Sequence, residues 1–327
     1  MARVLSGVQP SGDPHVGNYL GAWMRWAREQ EAEHLYCVVD LHAMTVRFDP
    51  ALLRERTLDT AAWLLACGLD PDVCTLFVQS HVREHTEAAW VLACVASMGE
   101  LGRMTHFKEK SQANDFTSAA LFTYPVLQAA DILLYHAEEV PVGDDQRQHV
   151  ELTRDVAQRF NHRFGDTFTL PMATVPKVGA RIMDLQNTDA KMSKSLESAG
   201  TIRLEEEESA TRRKIMRSIT DSGSEVRAAA DKPGVTNLLE LFAAVTGAEV
   251  ADLEARYAGT GYGDFKRDLA EAVNGALRPV RERHAELRRD PAELEAILAK
   301  GADKARAVAT STMATIRERV GLLPSGA

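Results

Sequence analysis

Apolar and polar positions divide the chain into two textures. From residue 3 to about residue 200, short apolar runs alternate with amphipathic stretches. Arg3 to Val8, His34 to Asp40 (apolar through Tyr36-Cys37-Val38-Val39) and Thr75 to Val78 each read as buried strands. Gln9 to Pro14 is turn chemistry, and a helix is expected to start near Pro14. Its apolar positions Val16, Tyr19, Leu20, Trp23 and Trp26 keep helical spacing. Asp49-Pro50 opens another helix that ends at Gly68, and Glu84 to Met98 reads as helical. A helix is expected from around Pro125. Glu138 to Gly143 reads as a strand, followed by a helix from Asp144-Asp145-Gln146 to about Asn161. This alternation predicts an α/β fold, a parallel sheet with crossover helices. Such sheets bind ligands beyond the carboxyl ends of their strands. Gly7, Gln9, Asp40, His42 and Gln79 fall there.

After Thr201 the texture changes. The stretches 205–219, 237–246, 262–284 and 291–320 are amphipathic helical patterns with few strand signals. They predict a boundary near Gly200, with a sheet domain over 1–200 and a helical domain over 201–327. The runs Glu205–Glu208 and Arg212-Arg213-Lys214 read as solvated faces.

Composition narrows the function classes. At 327 residues, 45% hydrophobic and 26% charged, the chain is long enough for one large domain or two ordinary ones. A formal charge of −9 excludes a generally basic nucleic-acid coat, so a nucleic-acid partner would need a local basic stripe. Cys37, Cys67, Cys74 and Cys94 have neither CxxC nor zinc-finger spacing and read as reduced thiols of a cytoplasmic protein. The N-terminus reads as running straight into a strand without a signal peptide. No apolar run reaches the roughly 18 residues of a membrane span.

Four stretches carry candidate chemistry. Lys191-Met192-Ser193-Lys194-Ser195 is a compact cationic group suited to a triphosphate, or else a solvated loop. Ser11 to Asn18 follows a strand and opens a helix, placing His15 and Asn18 on one face of a helix N-terminus that favours anions. The alternative is an ordinary capped helix with a surface histidine. Tyr124, Gln128 and Asp131 share a helix face, and Asp131 lies in an otherwise apolar segment. A carboxylate buried there needs a donor: an indole N–H, an arginine, or a neighbouring helix's backbone. In Val140 to Gln146, Val140 and Val142 can form an apolar wall, and Asp145 and Gln146 can meet an ammonium group. An N-capped turn is the plainer reading. Lys110 is either a mobile cation near phosphates or a lone surface lysine.

Ser11 to Asn18 and Lys191 to Ser195 together resemble the two signature motifs of class I aminoacyl-tRNA synthetases, the HIGH-type and KMSKS motifs. The second is letter-perfect. The first carries Asn18 in place of its last histidine, as that family commonly does. Ser6-Gly7-Val8-Gln9-Pro10, Val39-Asp40-Leu41-His42-Ala43, Ala129-Ala130-Asp131-Ile132-Leu133-Leu134-Tyr135, Val140 to Gln146, Gly179 to Met183 and Lys232 to Leu239 narrow the resemblance to the bacterial tryptophanyl branch, over nearly the whole chain.

The resemblance implies a Rossmann-type catalytic domain, a helical anticodon-binding domain whose last helix returns to the catalytic domain, and a homodimer. It implies ATP, Mg²⁺ carried on the ATP phosphates, L-tryptophan and tRNA(Trp) as ligands, with no structural metal. Leu5, Gly7, Gln9, His42, Tyr124, Gln128, Asp131, Val140, Val142 and Gln146 would then line the tryptophan site, with Asp131 accepting the indole N–H. Gln128 departs from the methionine that relatives often place against the indole. Gln9, Ser11, Gly12, His15, Gly17, Asn18, Gly143, Asp144 and Lys191 to Lys194 would contact ATP. Lys191, Ser193, Lys194, His15 and Lys110 would act on the departing pyrophosphate. The alternatives are the tyrosyl branch and a tryptophan-binding paralogue that charges no tRNA.

Overall fold

The computed structural model describes residues 2–105, 107–108, 117–174, 182–192 and 198–324. Five strands form one parallel sheet: β1 (Val4–Val8), β2 (His34–Val38), β3 (Thr75–Val78), β4 (Glu139–Pro141) and β5 (Met172–Thr174), in the order β3-β2-β1-β4-β5. The register sets Gly7 beside Cys37 and Val38 beside Val78. β3 is buried along its whole length, as a sheet covered on both faces requires. β1 lies between β2 and β4, so the crossovers diverge on either side of it and leave a crevice at the strands' carboxyl ends. A small antiparallel pair, β6 (Met183–Asp184) and β7 (Asn187–Lys191), follows.

Strand alternation sorts the core. Leu5, Leu35, Cys37 and Phe77 point into one apolar cluster, and Val8, Tyr36, Val38 and Leu76 into another. The first cluster also holds Ala302, Ala305, Ala309, Met313 and Ile316 of the last helix, Pro291–Val320. That helix returns to the sheet and lies directly on β3. A Cβ at Gly301 would stand 1.7 Å from the Leu76 carbonyl oxygen, so only glycine permits the approach. The Tyr262–Arg289 helix meets the Pro50–Ala66 helix where His284 stacks on Trp63, with centroids 3.6 Å apart and planes 7° from parallel. His284 Nε2 also bonds Asp59 Oδ1 at 2.8 Å.

Several expectations need correction. The helix expected from Pro125 begins at Ala119, because the Ser118 hydroxyl accepts from the Leu121 N–H and caps it earlier; Pro125 is internal. The second strand stops at Val38, and Asp40 opens a short helix, Asp40–Ala43. There the Asp40 carboxylate accepts from the Leu41 and Ser80 N–H groups. The stretch 84–98 breaks after Ala93 and restarts at Met98. The charged runs are not simply solvated. Glu206, whose side chain is only 10% exposed, pairs with Lys214, and Glu208 takes Arg278. The line drawn at Gly200 is also tightly stitched: Val16 N–H donates to the Ile202 carbonyl and Leu204 N–H to that of Pro14, both at 2.9 Å. Arg203 pairs with Asp13 at 3.0 Å.

Candidate active site

The crevice beside β1 holds a cavity of about 300 Å³. Leu5, Gly7 and Gln9 enter it from β1 and the turn beyond, Val140 from β4, and Val142 and Gln146 from the segment after it. Tyr124, Gln128 and Asp131 come from one face of the Ala119–Leu133 helix, and His42 from the helix after β2. All ten residues named above as lining one site are therefore in one cavity.

Asp131 is its centre, only 3% exposed. Oδ1 accepts from Gln79 Nε2 at 2.7 Å and from His85 Nδ1 at 2.6 Å. Oδ2 accepts from His42 Nε2 at 2.8 Å. A carboxylate only accepts, so the ring nitrogens facing it carry the hydrogens. Burial alone would raise the Asp131 carboxyl, but the bonds from His42 and His85 outweigh it and hold the group well below the usual carboxylate range. Among the described residues, neither an arginine nor a helix backbone partners it; two imidazoles and an amide do. Of about four lone-pair sites on a carboxylate, donors among the described residues occupy three, two on Oδ1 and one on Oδ2.

The donors are themselves held. Gln79 Oε1 accepts the Leu41 N–H at 3.1 Å, which turns its NH₂ towards Asp131. His85 Nε2 faces the Tyr135 hydroxyl at 2.7 Å, and burial raises that phenol so far that it stays protonated. The His42 carbonyl accepts from Gln9 Nε2 (3.3 Å) and from Thr45 Oγ1 (2.8 Å). Tyr124 meets the His42 ring edge-on, 6.2 Å between centroids, and its hydroxyl lies 2.7 Å from His149 Nε2. Burial pushes the Tyr124 phenol up to about 12. Gln146 Nε2 donates to Asp145 Oδ2 at 3.0 Å, so these two side chains meet each other.

A second group of residues surrounds the start of the first helix. Gly12 has φ +63°, the left-handed turn that releases the chain from Ser11, whose N–H donates to the Gln9 carbonyl. His15 is 5% exposed and caps the helix, and Asn18 Oδ1 accepts from its N–H at 3.1 Å. A Cβ at Gly17 would lie 3.0 Å from the His15 ring and 3.8 Å from Met192 Cβ. Met192 is buried, so the start of the Lys191 run packs beside this turn, while Lys191 ends β7 exposed. Gly143 precedes the turn holding Asp144, and a Cβ there would sit 2.7 Å from Asp145 Oδ1. Ser193, Lys194, Ser195, Lys110 and Gly179-Ala180-Arg181 lie outside the described residues. Among the described residues, no cluster of three His, Cys, Asp or Glu side chains is placed to hold a metal ion, and no helix is long and apolar enough to cross a membrane.

The network also contains residues the sequence pattern did not single out for chemistry. His85 and Tyr135 are fully buried and outside the cavity. The available signal was weak: Tyr135 stands four residues beyond Asp131, on the same side of the chain.

Comparison with known proteins places this geometry. Residues 1–278 match the family model described as tRNA synthetases class I (W and Y). The chain is 54% identical to "Tryptophan--tRNA ligase 2" of Streptomyces avermitilis, covering 99% of this chain and 98% of that one. Among solved structures, tryptophanyl-tRNA synthetase of Mycoplasma pneumoniae superposes with a TM-score of 0.89 at 36% identity, over 99% of this chain and 98% of that one. The Campylobacter jejuni enzyme, complexed with ADP and tryptophan, gives 0.86 at 38% identity, over 98% and 100%.

Proposed function

The chain belongs to the class I tRNA synthetases of the W and Y group, and from that membership we propose that it activates L-tryptophan with ATP and transfers it to tRNA(Trp). The observation that carries the amino-acid half is Asp131, an ionised carboxylate at the wall of the cavity that takes one donor on Oδ2 and two on Oδ1 from the described residues. An indole N–H is a donor only and suits that site. Val140 and Val142 offer the ring an apolar wall, and Gln9, Tyr124 and Gln146 hold the ammonium and carboxylate end. Full-length identity to a tryptophan--tRNA ligase favours tryptophan over tyrosine.

In the first step the tryptophan carboxylate attacks the α-phosphorus of ATP. The α–β phosphoanhydride bond breaks, giving tryptophanyl-adenylate and pyrophosphate. A ribose hydroxyl of the terminal tRNA adenosine then attacks the carbonyl and releases AMP. No enzyme nucleophile is needed, and catalysis is positioning and charge stabilisation. Ser11, Gly12, His15, Gly17, Asn18, Gly143 and Asp144 form the ATP cradle, at a helix start whose dipole favours an anion. Lys191, Ser193, Lys194 and Lys110 would stabilise the departing pyrophosphate, with Mg²⁺ carried on the nucleotide. The helical region beyond Gly200 meets the anticodon. Trp90 and Met98 are 75% and 72% exposed, as apolar residues of a homodimer contact would be in the single chain. The enzyme works in the cytoplasm.

The test is amino-acid-dependent ATP–pyrophosphate exchange with tryptophan, tyrosine and phenylalanine in parallel. Exchange with tryptophan alone is expected. Exchange with tyrosine would move the assignment to the sister branch, and silence with all three in folded protein would leave a binding paralogue.

A further inference from the structure

His85 is completely buried and never reaches the cavity, yet it is the link between Asp131 and the protein interior. Its Nδ1 lies 2.6 Å from Asp131 Oδ1 and its Nε2 2.7 Å from the Tyr135 hydroxyl. The carboxylate forces the hydrogen onto Nδ1. The Tyr135 hydroxyl holds the opposite ring nitrogen, so Tyr135 fixes the orientation of the imidazole. Gln79 shares Oδ1 with His85, and together they set the carboxylate's rotation about its own bond. Rotation decides where the remaining acceptor site on Oδ2 points, because among the described residues only His42 holds that oxygen.

Resting on the tryptophan reading above, we propose that His85, oriented by Tyr135, is a positioning residue that aims Asp131 Oδ2 at the indole N–H and so sets selection for a ring donor. An alternative is that His85 merely fills the core. The two differ in what they do to selectivity, not in what they do to stability.

The probe pair is L-tryptophan and its analogue with sulfur in place of the indole N–H, which has the same shape and no donor. Exchange kinetics are compared in the wild type, His85→Asn, His85→Gln and Tyr135→Phe. An asparagine amide can stand where Nδ1 stands and keep the bond to Asp131, whereas a glutamine amide reaches towards the Nε2 position and loses it. In His85→Gln the preference for tryptophan over the sulfur analogue is expected to fall on the order of ten- to a hundredfold, the usual weight of a hydrogen bond to a charged group. The KM for tryptophan should rise while that for ATP holds. His85→Asn should restore most of the preference, and Tyr135→Phe should lose part of it with the His85 ring still present. The proposal is overturned if the preference stays within about twofold of wild type in both His85→Gln and Tyr135→Phe, or if His85→Asn and His85→Gln lose it equally. Should His85→Gln not fold, His85→Asn and Tyr135→Phe alone still decide. Wild-type protein that exchanges with no amino acid would instead defeat the functional reading itself.

Discussion

Replacing Asp131 with asparagine changes one atom's chemistry without changing shape. In the native cluster three donors converge on the carboxylate: Gln79 Nε2, His85 Nδ1 and His42 Nε2. A substrate N–H would be the fourth. Asparagine offers one acceptor oxygen and one NH₂ group. With its oxygen kept on Gln79 and His85, the NH₂ faces His42 and the substrate. His42 can adapt by moving its proton to Nδ1 and accepting at Nε2. An indole N–H cannot adapt, and two donors then face each other. The variant loses a bond to a charged acceptor and leaves a buried donor unpaired, together about 3–5 kcal/mol. That corresponds to roughly a 10²- to 10⁴-fold fall in kcat/KM for tryptophan. Pyrophosphate exchange measured against tryptophan at saturating ATP reads this directly, and the KM for ATP serves as the internal control. A loss smaller than about threefold would show that Oδ2 receives no substrate donor, and the assignment of the cavity's polar corner would fail.

The remaining predictions concern folding and assembly. Gly301→Ala drives a methyl into the Leu76 carbonyl, and overpacking of this kind costs about 1–3 kcal/mol or more; denaturant unfolding should show that loss, and wild-type stability would mean the last helix does not lie on β3. The Tyr262 hydroxyl, then Lys232, hold the Asp221 carboxyl down at about 2. A depressed carboxyl stabilises the fold above its unfolded value and loses that effect as pH falls through the folded one, so Tm should decline from about pH 4 to pH 2, and more shallowly in Asp221→Asn. Identical pH profiles would remove Asp221 from the acid response. Trp90→Glu should convert a dimer to a monomer in light scattering, and a wild type already monomeric would discard the dimer contact.

Much of the site was legible because its residues sit at strand ends, where a parallel sheet presents them to a ligand. Gly7 at the end of β1, Gln9 just after it, His42 after β2 and Val142 after β4 follow from strand position alone. The helix face carrying Tyr124, Gln128 and Asp131 was legible from spacing, even though the helix starts a turn and a half earlier than Pro125 suggests. The cap at Ser118 was missed because a proline is a conspicuous first-turn residue and a serine is not. What surrounds Asp131 was not legible. Gln79, His42 and His85 come from three separate elements, and only the packed sheet brings them within hydrogen-bonding distance. Periodicity describes one element at a time, so a convergence of donors from several leaves no local signature. The same limit explains the charged run at Glu205–Glu208, where Lys214 turns an expected solvated face into a paired, half-buried one.

The two signature stretches lie far apart in sequence, and the fold joins them through the segment that leaves the sheet domain. Met192 packs beside Gly17, and just beyond it residues 202–204 bond in strand-like fashion to residues 14–16. The first residues of the helical region therefore hold the turn that presents His15. At the other end of that region, Gly301 seats the last helix on β3, while His284 against Trp63 and Asp59 ties its middle to the Pro50–Ala66 helix. Ile219 N–H to the Leu185 carbonyl, Asn237 against Met183 and Arg317 on Glu87 add further ties, so the helical region cannot tilt as a free arm. Any displacement imposed on it, by a bound nucleic acid or otherwise, must strain the Pro14–Leu204 and Val16–Ile202 bonds or break the His284 contact. The His284 contact is a stack with one side-chain hydrogen bond, whereas the seam at 14–16 carries two backbone bonds and the Asp13–Arg203 pair.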